Sequence, residues 1–579
     1  MTTLDPVTLA VLKGRLEQIA NEMDATLYRS AFNPIIAEAH DACHGLYHAT
    51  TGATLVQGTS GLPIFVGAMA FAVKAVIDRV EAGASNEPGD TWLFNDPYEG
   101  GTHLNDMRLV RPIFRDGVLF CWLASVGHWL DVGGNVPGNF NAKATESFQE
   151  GFRIPPVKLV RKGEFQHDIV EILAANSRLP QSNWGDLNGQ LNALDLGQQR
   201  LDALLAEYGV PTVNAALDAF SSRAEALMRA EIAALPDGRY SFDDFLDNDG
   251  ITDTPLRIAL DLTIAGDVMT LDFSRSAPPC QGPLNIAYST AVACCYVALK
   301  HIFPHVPANA GVLKPITFII PDTTLLGVKA PKPVGGYTET ILRVIDTVFG
   351  VFAQIAPERA NGSPYATINA LSLAGHRDDG SRFVMFSFFG GGLGGNPESD
   401  GLNHGNNPIS TATIPPAEIL EAAYPVMFTQ WALRPDSGGA GRHRGGCGAI
   451  YEIEALASSG ADVFLLGERG KFPPFGVAGG GPAAMNRFVY DGPNGPTALD
   501  LVTKVTDIHI GKGQRVRLES PGGGGYGQPH ERDPQIVAGD VLKGYTSPEQ
   551  AHAVYGVALG ADGKVDIAAT TTLRAQASR

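Results

Sequence analysis

The sequence predicts an α+β protein: a large, β-rich, multi-lobed chain with an N-terminal helix and a central helical block. Three observations carry that expectation. Apolar residues near the start recur at helical spacing, and two long amphipathic stretches lie on either side of residue 210. The final third alternates short apolar runs with glycine clusters. A chain of 579 residues can bury a large core and form two or three lobes.

Taken in order, Asp5 caps the first helix and Pro6 suits its first turn. Leu9, Leu12, Leu16, Ile19, Met23 and Leu27 then step by three or four residues. From about Ala37 to Val160 the pattern reads as strands, with turn signals at "TTGAT" and "RDGV". Within it, "VGAMAFAVKAVI" is broken by Lys74 and is too short to span a bilayer. The segments "GQLNALDLGQQRLDALLAEYG" and "VNAALDAFSSRAEALMRAEIAAL" form the helical block, with a charged outer face. Alternation returns between Gly238 and Ile320, where the helical "STAVACCYVALK" should bury Cys294 and Cys295. The C-terminal third sets "GGGLGG", "DSGGAGRHRGGCG" and "PGGGGYG" between short strands. No repeat or low-complexity linker marks a boundary. The expected lobes are 1–185, 186–375 (helical and α/β) and 376–579 (Gly-rich and β-rich).

Composition narrows the function. Apolar residues make up 44% and charged residues 18%, which suits a compact enzyme rather than a disordered scaffold. A net charge of −18 without a Lys/Arg block argues against nucleic acid as a ligand. The opening "MTTLDPVTLA" lacks the basic and apolar regions of a secretory signal, so a cytoplasmic protein off the membrane is expected. Six cysteines without a C-x-x-C pair fit reduced thiols.

The most informative stretch is "FNDPYEGGTHLNDMRLVRPIF", which places His103 and Asp106 between a Gly-Gly pair and an apolar strand. With "RDGVLFCWLASVGHWLDVGG" it reads as a hairpin closed by Asp116-Gly117. Pairing 115 with 118 sets Asn105 opposite His128, with His103 diagonal to His128 on the same face. Asp106 would face away unless residues 103–106 bend, which "EGGT" permits. Two histidines and a carboxylate with an open position form a catalytic rather than structural ligand set. Asp131 is a further carboxylate that could orient an imidazole. Upstream, His40, His44 and His48 share one strand face and are expected at the surface. Two G-x-G-x-x-G matches, 390–395 and 522–527, open no helix, and neither G-x-x-x-x-G-K-[ST] nor G-x-S-x-G occurs. The glycines therefore suit tight turns and close backbone packing.

Several blocks together resemble the hydantoinase B/oxoprolinase family: "FNDPYEGGTHLNDMRLVRPIFRDG", "GHWLDVGGNVPG", "EGFRIPPVKL", "NSRLPQSNWGDLNGQ", "QGPLNIAYST", "ALRPDSGGAGRHRGGCG" and "SPGGGGYGQPHERD". The similarity runs from about residue 5 to 560. It implies the metal-bearing subunit of an ATP-dependent hydrolase of lactams, hydantoins or oxoprolines, caprolactamase being one relative. The residues it assigns to the metal are His103, Asp106 and His128, with Asp41 as a fourth ligand or a base. It implies a divalent ion, with zinc expected and manganese or iron allowed. It also implies an ATP-binding partner of the hydantoinase A type, in an α2β2 complex. That partner would phosphorylate the amide oxygen, and metal-activated water would then open the ring. Relatives often show a histidine where this chain has Phe65, and paired histidines where it has His128-Trp129, which implies a more apolar ring. Two alternatives stay open: a subunit of an ATP-dependent ketone carboxylase, and a non-catalytic scaffold.

Overall fold

The computed structural model describes residues 4–410 and 413–577. Two compact units divide the chain. The first comprises residues up to Ser241, Ala259–Ile345 and Pro408–Pro415; the second comprises Phe242–Ile258, Asp346–Asn407 and residues from Pro416 on.

The first unit opens with α1 (Pro6–Ser30). Asp5 Oδ1 accepts from the N–H groups of Val7 and Thr8 at 3.0 Å each, and Pro6 fills the first turn. Leu12, Leu16, Ile19, Met23 and Leu27 are buried along one face, as their spacing requires. The short α2 (Pro34–Ala37) leads to β1 (Ala42–His48), β2 (Thr54–Gln57), α3 (Pro63–Glu81), β3 (Thr91–Phe94), β4 (Asp106–Arg115), β5 (Val118–His128), β6 (Val157–Arg161) and β7 (Glu164–Phe165). These strands form one antiparallel sheet in the order β2-β1-β5-β4-β3-β6-β7. The stretch "VGAMAFAVKAVI", inside the region expected to be strands, is instead the body of α3. Its apolar residues are nearly continuous, so neither helical nor strand period stands out.

The expected helical block follows as α4 (His167–Ala175), α5 (Pro180–Tyr208) and α6 (Val210–Ala233). α1 and α5 cover one face of the sheet, where Leu16, Met23, Leu109, Leu123, Leu187 and Leu194 share a core. The two helices approach closely at glycine. A Cβ on Gly197 would lie 2.4 Å from Met23 Sδ, inside van der Waals contact. Further on come β8 (Gly238–Leu246), β9 (Leu256–Ala265), β10 (Val268–Asp272), α7 (Tyr288–Ile302), β11 (Ile316–Ile319) and α8 (Tyr337–Ile355). β9 and β10 form a hairpin, and β11 joins β10 in parallel. α7 is buried along most of its length, Cys294 and Cys295 included, as expected. Among the described residues no helix is long and apolar enough to cross a membrane.

The second unit holds two sheets that share one core. β12 (Ala370–His376), β13 (Arg382–Ser387), β16 (Ala461–Leu466) and β19 (Lys504–Ile510) pair in the order β13-β12-β16-β19. β14 (Val426–Leu433), β15 (Ala449–Ala455), β17 (Arg487–Gly492), β18 (Gly495–Ala498) and β20 (Arg515–Glu519) pair in the order β14-β15-β20-β17-β18. Leu371, Leu373 and Met385 from one meet Tyr451, Ile453 and Leu518 from the other.

The glycine clusters form a second kind of scaffold in that unit. The 522–527 segment runs centrally, bonded by backbone to 363, 395, 439, 446, 477 and 481. Neighbouring segments pack so tightly that a Cβ on Gly445 would lie 1.8 Å from Gly523 O, and one on Gly524 1.8 Å from Phe475 O. Only glycine permits that approach, and it lets backbone groups outside the sheets satisfy one another. This is the close backbone packing expected of both G-x-G-x-x-G matches.

Candidate metal centre

The hairpin forms as expected, with Asp116 and Gly117 both at positive φ in its turn. Its register differs from the expected one. Pairing starts at Arg115↔Val118 and Phe114↔Leu119, then shifts so that Ile113 meets Cys121. That shift leaves Phe120 as an extra residue and brings Asp106, rather than Asn105, opposite His128. Asp106 therefore joins His128 on one face through a bulge on β5. The bend expected at 103–106 serves His103 instead, whose carbonyl accepts from Asp106 N–H at 3.3 Å in a turn before β4.

The outcome is a compact triangle. His103 Nε2 lies 3.0 Å from Asp106 Oδ1 and 3.2 Å from His128 Nδ1, and His128 Nδ1 lies 3.3 Å from Asp106 Oδ1. Among the described residues, these three form the group of His, Cys, Asp or Glu donors close enough to hold one ion. All three are buried. Burial would raise the Asp106 carboxyl, but the charge and hydrogen bond of His103, with those of His128, hold it far below the usual carboxylate range.

The supporting groups come mostly from places that strand spacing does not flag. Thr102 donates its hydroxyl to Asp106 Oδ2, and the buried Arg108 donates to Thr102 Oγ1 at 3.4 Å. Gly100 and Gly101 explain the Gly-Gly pair. Gly100 sits at φ +83, where its Cβ would strike the backbone of Phe71 at 2.3 Å; a Cβ on Gly101 would enter the Arg108 guanidinium. Thr290 of α7 donates to Gly101 O at 2.8 Å and anchors the loop. Tyr337, at the start of α8, lies with its ring 4.6 Å from that of His103, and Phe140 packs against both imidazoles. Thr102 was visible within the quoted stretch. Tyr337 lies more than two hundred residues away and carried no local signal.

Asp41 stands beside the triangle but not within it. Its carbonyl accepts from His128 N–H at 3.1 Å, tying the entry to β1 to the end of β5. Its Oδ1 is buried with no hydrogen-bond partner among the described residues. Burial pushes the carboxyl up to about 7, opposed by His128 and reinforced by Asp106.

Three expectations need correction. Asp131 orients no imidazole: its oxygens accept from Gly133 and Gly138 N–H and from Arg178. The histidine face is only partly surface: His40, just before β1, and His48, at its end, are half-buried. His44 is fully buried between Asp24 (2.8 Å) and Ser125 (2.9 Å), because β1 is an inner strand covered by α1. Trp129 does not line the site either. Its indole turns to the core and donates to Gln190 Oε1 at 3.1 Å.

The model of the hydantoinase B/oxoprolinase family matches residues 5–529. The chain belongs to that family. One relative is the caprolactamase subunit beta of Pseudomonas jessenii, 32% identical, with 99% of this chain and 100% of that one aligned. The crystal structure of that ATP-dependent caprolactamase superposes with a TM-score of 0.89 over 99% of this chain and 100% of that chain, at 31% identity. The nucleotide-free structure of acetone carboxylase gives a TM-score of 0.90 over 99% of this chain and 83% of that one. At 23% identity this shows the shared fold alone. The 5-oxoprolinase of Dictyostelium discoideum is 28% identical over 91% of this chain, which covers 41% of that longer protein.

Proposed function

We propose that this chain is the metal-bearing subunit of an ATP-dependent cyclic amide hydrolase acting on a lactam, hydantoin or oxoproline type of ring. The observation that carries the reading is the end-to-end likeness to caprolactamase subunit beta. The donor triangle supplies its chemistry.

The residues fit a divalent cation. Two imidazole nitrogens and a carboxylate oxygen within 3.3 Å of one another match the donor spacing around one ion with ligand bonds of about 2.0–2.2 Å. The unpartnered Asp41 Oδ1 nearby is the kind of orphan that such a group explains. Zinc suits the donor set, and manganese or iron is compatible with it. A bound ion would supply a Lewis acid that acidifies water or polarises the oxygen of the scissile amide.

The chain's own residues do the rest. Asp106 stays ionised, with one oxygen fixed by Thr102 so that the other faces the histidines. His103 is sandwiched by rings and keeps its orientation. Asp41, with its free oxygen, takes a proton from the attacking water. Tyr337 and Phe140 exclude bulk solvent around the imidazoles.

ATP is assigned to a partner of the hydantoinase A type, in an α2β2 complex. The name caprolactamase subunit beta implies a companion subunit for that relative. The longer Dictyostelium enzyme retains more than half its length outside the match, room for the partner's role in one chain. A cytoplasmic location is proposed on the six cysteines, all buried free thiols, which suit a reducing compartment.

The test is ATP-dependent turnover of the chain co-purified with its partner, on a panel of caprolactam, hydantoin and 5-oxoproline. Ring-opened product, an amino acid from caprolactam or 5-oxoproline and an N-carbamoyl amino acid from hydantoin, with matching phosphate release is expected. Product that consumes bicarbonate stoichiometrically would assign the ketone carboxylase alternative instead.

A further inference from the structure

The block "NSRLPQSNWGDLNGQ" falls at the start of α5 and contributes none of the metal donors. Its Asn183, Asp186 and Gln190 are all buried, at spacings of three and four that place them on one helix face. A buried polar stripe is costly where an apolar one would pack against the sheet, so its partners reveal its use.

Those partners all surround the donor strands. Gln190 Nε2 donates to Met107 O at 3.0 Å, and Gln190 Oε1 accepts from Trp129 Nε1 at 3.1 Å. Met107 O can only accept and the indole can only donate, so the amide has one orientation. Met107 and Trp129 are the residues directly after Asp106 and His128. Gln190 therefore grips both donor segments from behind the sheet, while the donors project from its front. Gly127, paired with Met107, lies against this amide: a Cβ there would meet Gln190 Cδ at 3.5 Å, an ordinary contact, and Ile36 Cδ1 more tightly at 3.1 Å. Asp186 Oδ2 accepts at 2.7 Å from Asn33 Nδ2, which also donates to His128 O at 3.1 Å. Asn183 Nδ2 donates to Asp131 O at 2.8 Å, further along the same segment.

We propose that this stripe positions the Asp106–His128 pair for the ion, with Gln190 its central positioning residue. The proposal rests on the metal reading above. Groups that orient metal ligands typically contribute roughly 10–100-fold to metal affinity.

The experiment measures Co2+ and Zn2+ dissociation constants of the full chain by chelator competition, together with the visible spectrum of the Co2+ form. Gln190→Met removes both hydrogen bonds, and a third from Nε2 to Ser125 Oγ of β5 at 3.3 Å, at similar volume; Gln190→Glu keeps the acceptor for Trp129. Leu201→Ala cuts a buried contact of the same helix with no polar link to the donors. Binding roughly 10–100-fold weaker in Gln190→Met, a smaller loss in Gln190→Glu, altered Co2+ bands in both and parental values in Leu201→Ala are expected. Parental affinity and spectrum in both Gln190 variants would overturn the positioning role, as would an equal loss in Leu201→Ala. A parent chain that binds neither ion would overturn the metal reading itself, a separable result.

Discussion

Asp106 pairs directly with His128 across the β4–β5 ladder, its Oδ1 3.3 Å from His128 Nδ1. An ideal ladder from the Asp116-Gly117 turn would have put Asn105 there and turned Asp106 to the other face. One extra residue at Phe120 reverses this. The site thus depends on a bulge about seven residues from its own donors.

Removing a donor should separate the two halves of the proposed reaction. His103→Ala and His128→Ala are expected to lose bound metal and ring opening while the chain stays folded and associated with its partner. The remaining donors no longer fix an ion's geometry. ATP consumption, assigned to the partner, should persist without amino-acid product. Metal analysis by mass spectrometry and a phosphate-release assay on the complex check this; full ring-opening activity in both variants would favour the scaffold alternative.

The pH dependence of stability should contain a contribution from Glu150. Its Oε2 accepts from Val334 N–H at 3.0 Å and its Oε1 from Gly335 N–H at 2.6 Å, just before Tyr337. Burial raises the carboxyl from 4.5 to about 8 against those two bonds. A folded-state pKa above the unfolded one stabilises fully below pH 4.5, and that stability is lost as pH rises towards 8. Between pH 5.5 and 7.5 the parent should lose about 2 kcal/mol that Glu150→Gln does not. The variant should carry instead a pH-independent cost of about 1 kcal/mol, having one acceptor oxygen for two N–H groups. Urea midpoints at the two pH values, compared between parent and variant, test the sign. Identical slopes would show that Glu150 does not titrate in this range.

Two glycines of the second unit should respond oppositely to alanine. Gly523→Ala would place Cβ 2.0 Å from Leu393 O, backbone that cannot step aside, and should destabilise by about 4 kcal/mol or more. Gly539, in the helix Pro534–Leu542, has nothing within 4 Å of a built Cβ. Gly539→Ala should stabilise by about 1 kcal/mol through helix propensity. Thermal denaturation of each variant is sufficient, and equal melting temperatures would contradict the packing account.

These cases also mark what the sequence could disclose. Local rules were reliable where one short segment sets the outcome: the Asp5 cap, the hairpin turn, the amphipathic α5 and α6. The identity of the clustered donors was legible because three of them lie within one hairpin. The bulge was not, since "VLFCWLAS" gives no hint of which residue drops out of the ladder. His44 looked like surface because strand alternation cannot say whether a strand is inner or edge. Gln190 and Tyr337 were invisible as site components because their partners come from distant segments. The "NSRLPQSNWGDLNGQ" block is legible in the sequence only as a likeness, and its buried face takes its meaning from contacts behind the sheet.

The last prediction separates the two roles open to Asp41. The three mutually close donors do not include it, which favours a base acting beside the ion over a fourth ligand. Asp41→Asn preserves shape and the backbone bond from His128 N–H, so the strand junction should survive. An amide cannot accept a proton at these pH values and is a weaker metal donor. Metal content is therefore expected to stay near that of the parent while ring opening falls by about 10²–10⁴, the usual scale for loss of a general base. Phosphate release by the partner should continue. Parallel loss of metal and turnover would make Asp41 a ligand, and unchanged turnover would remove it from the reaction altogether.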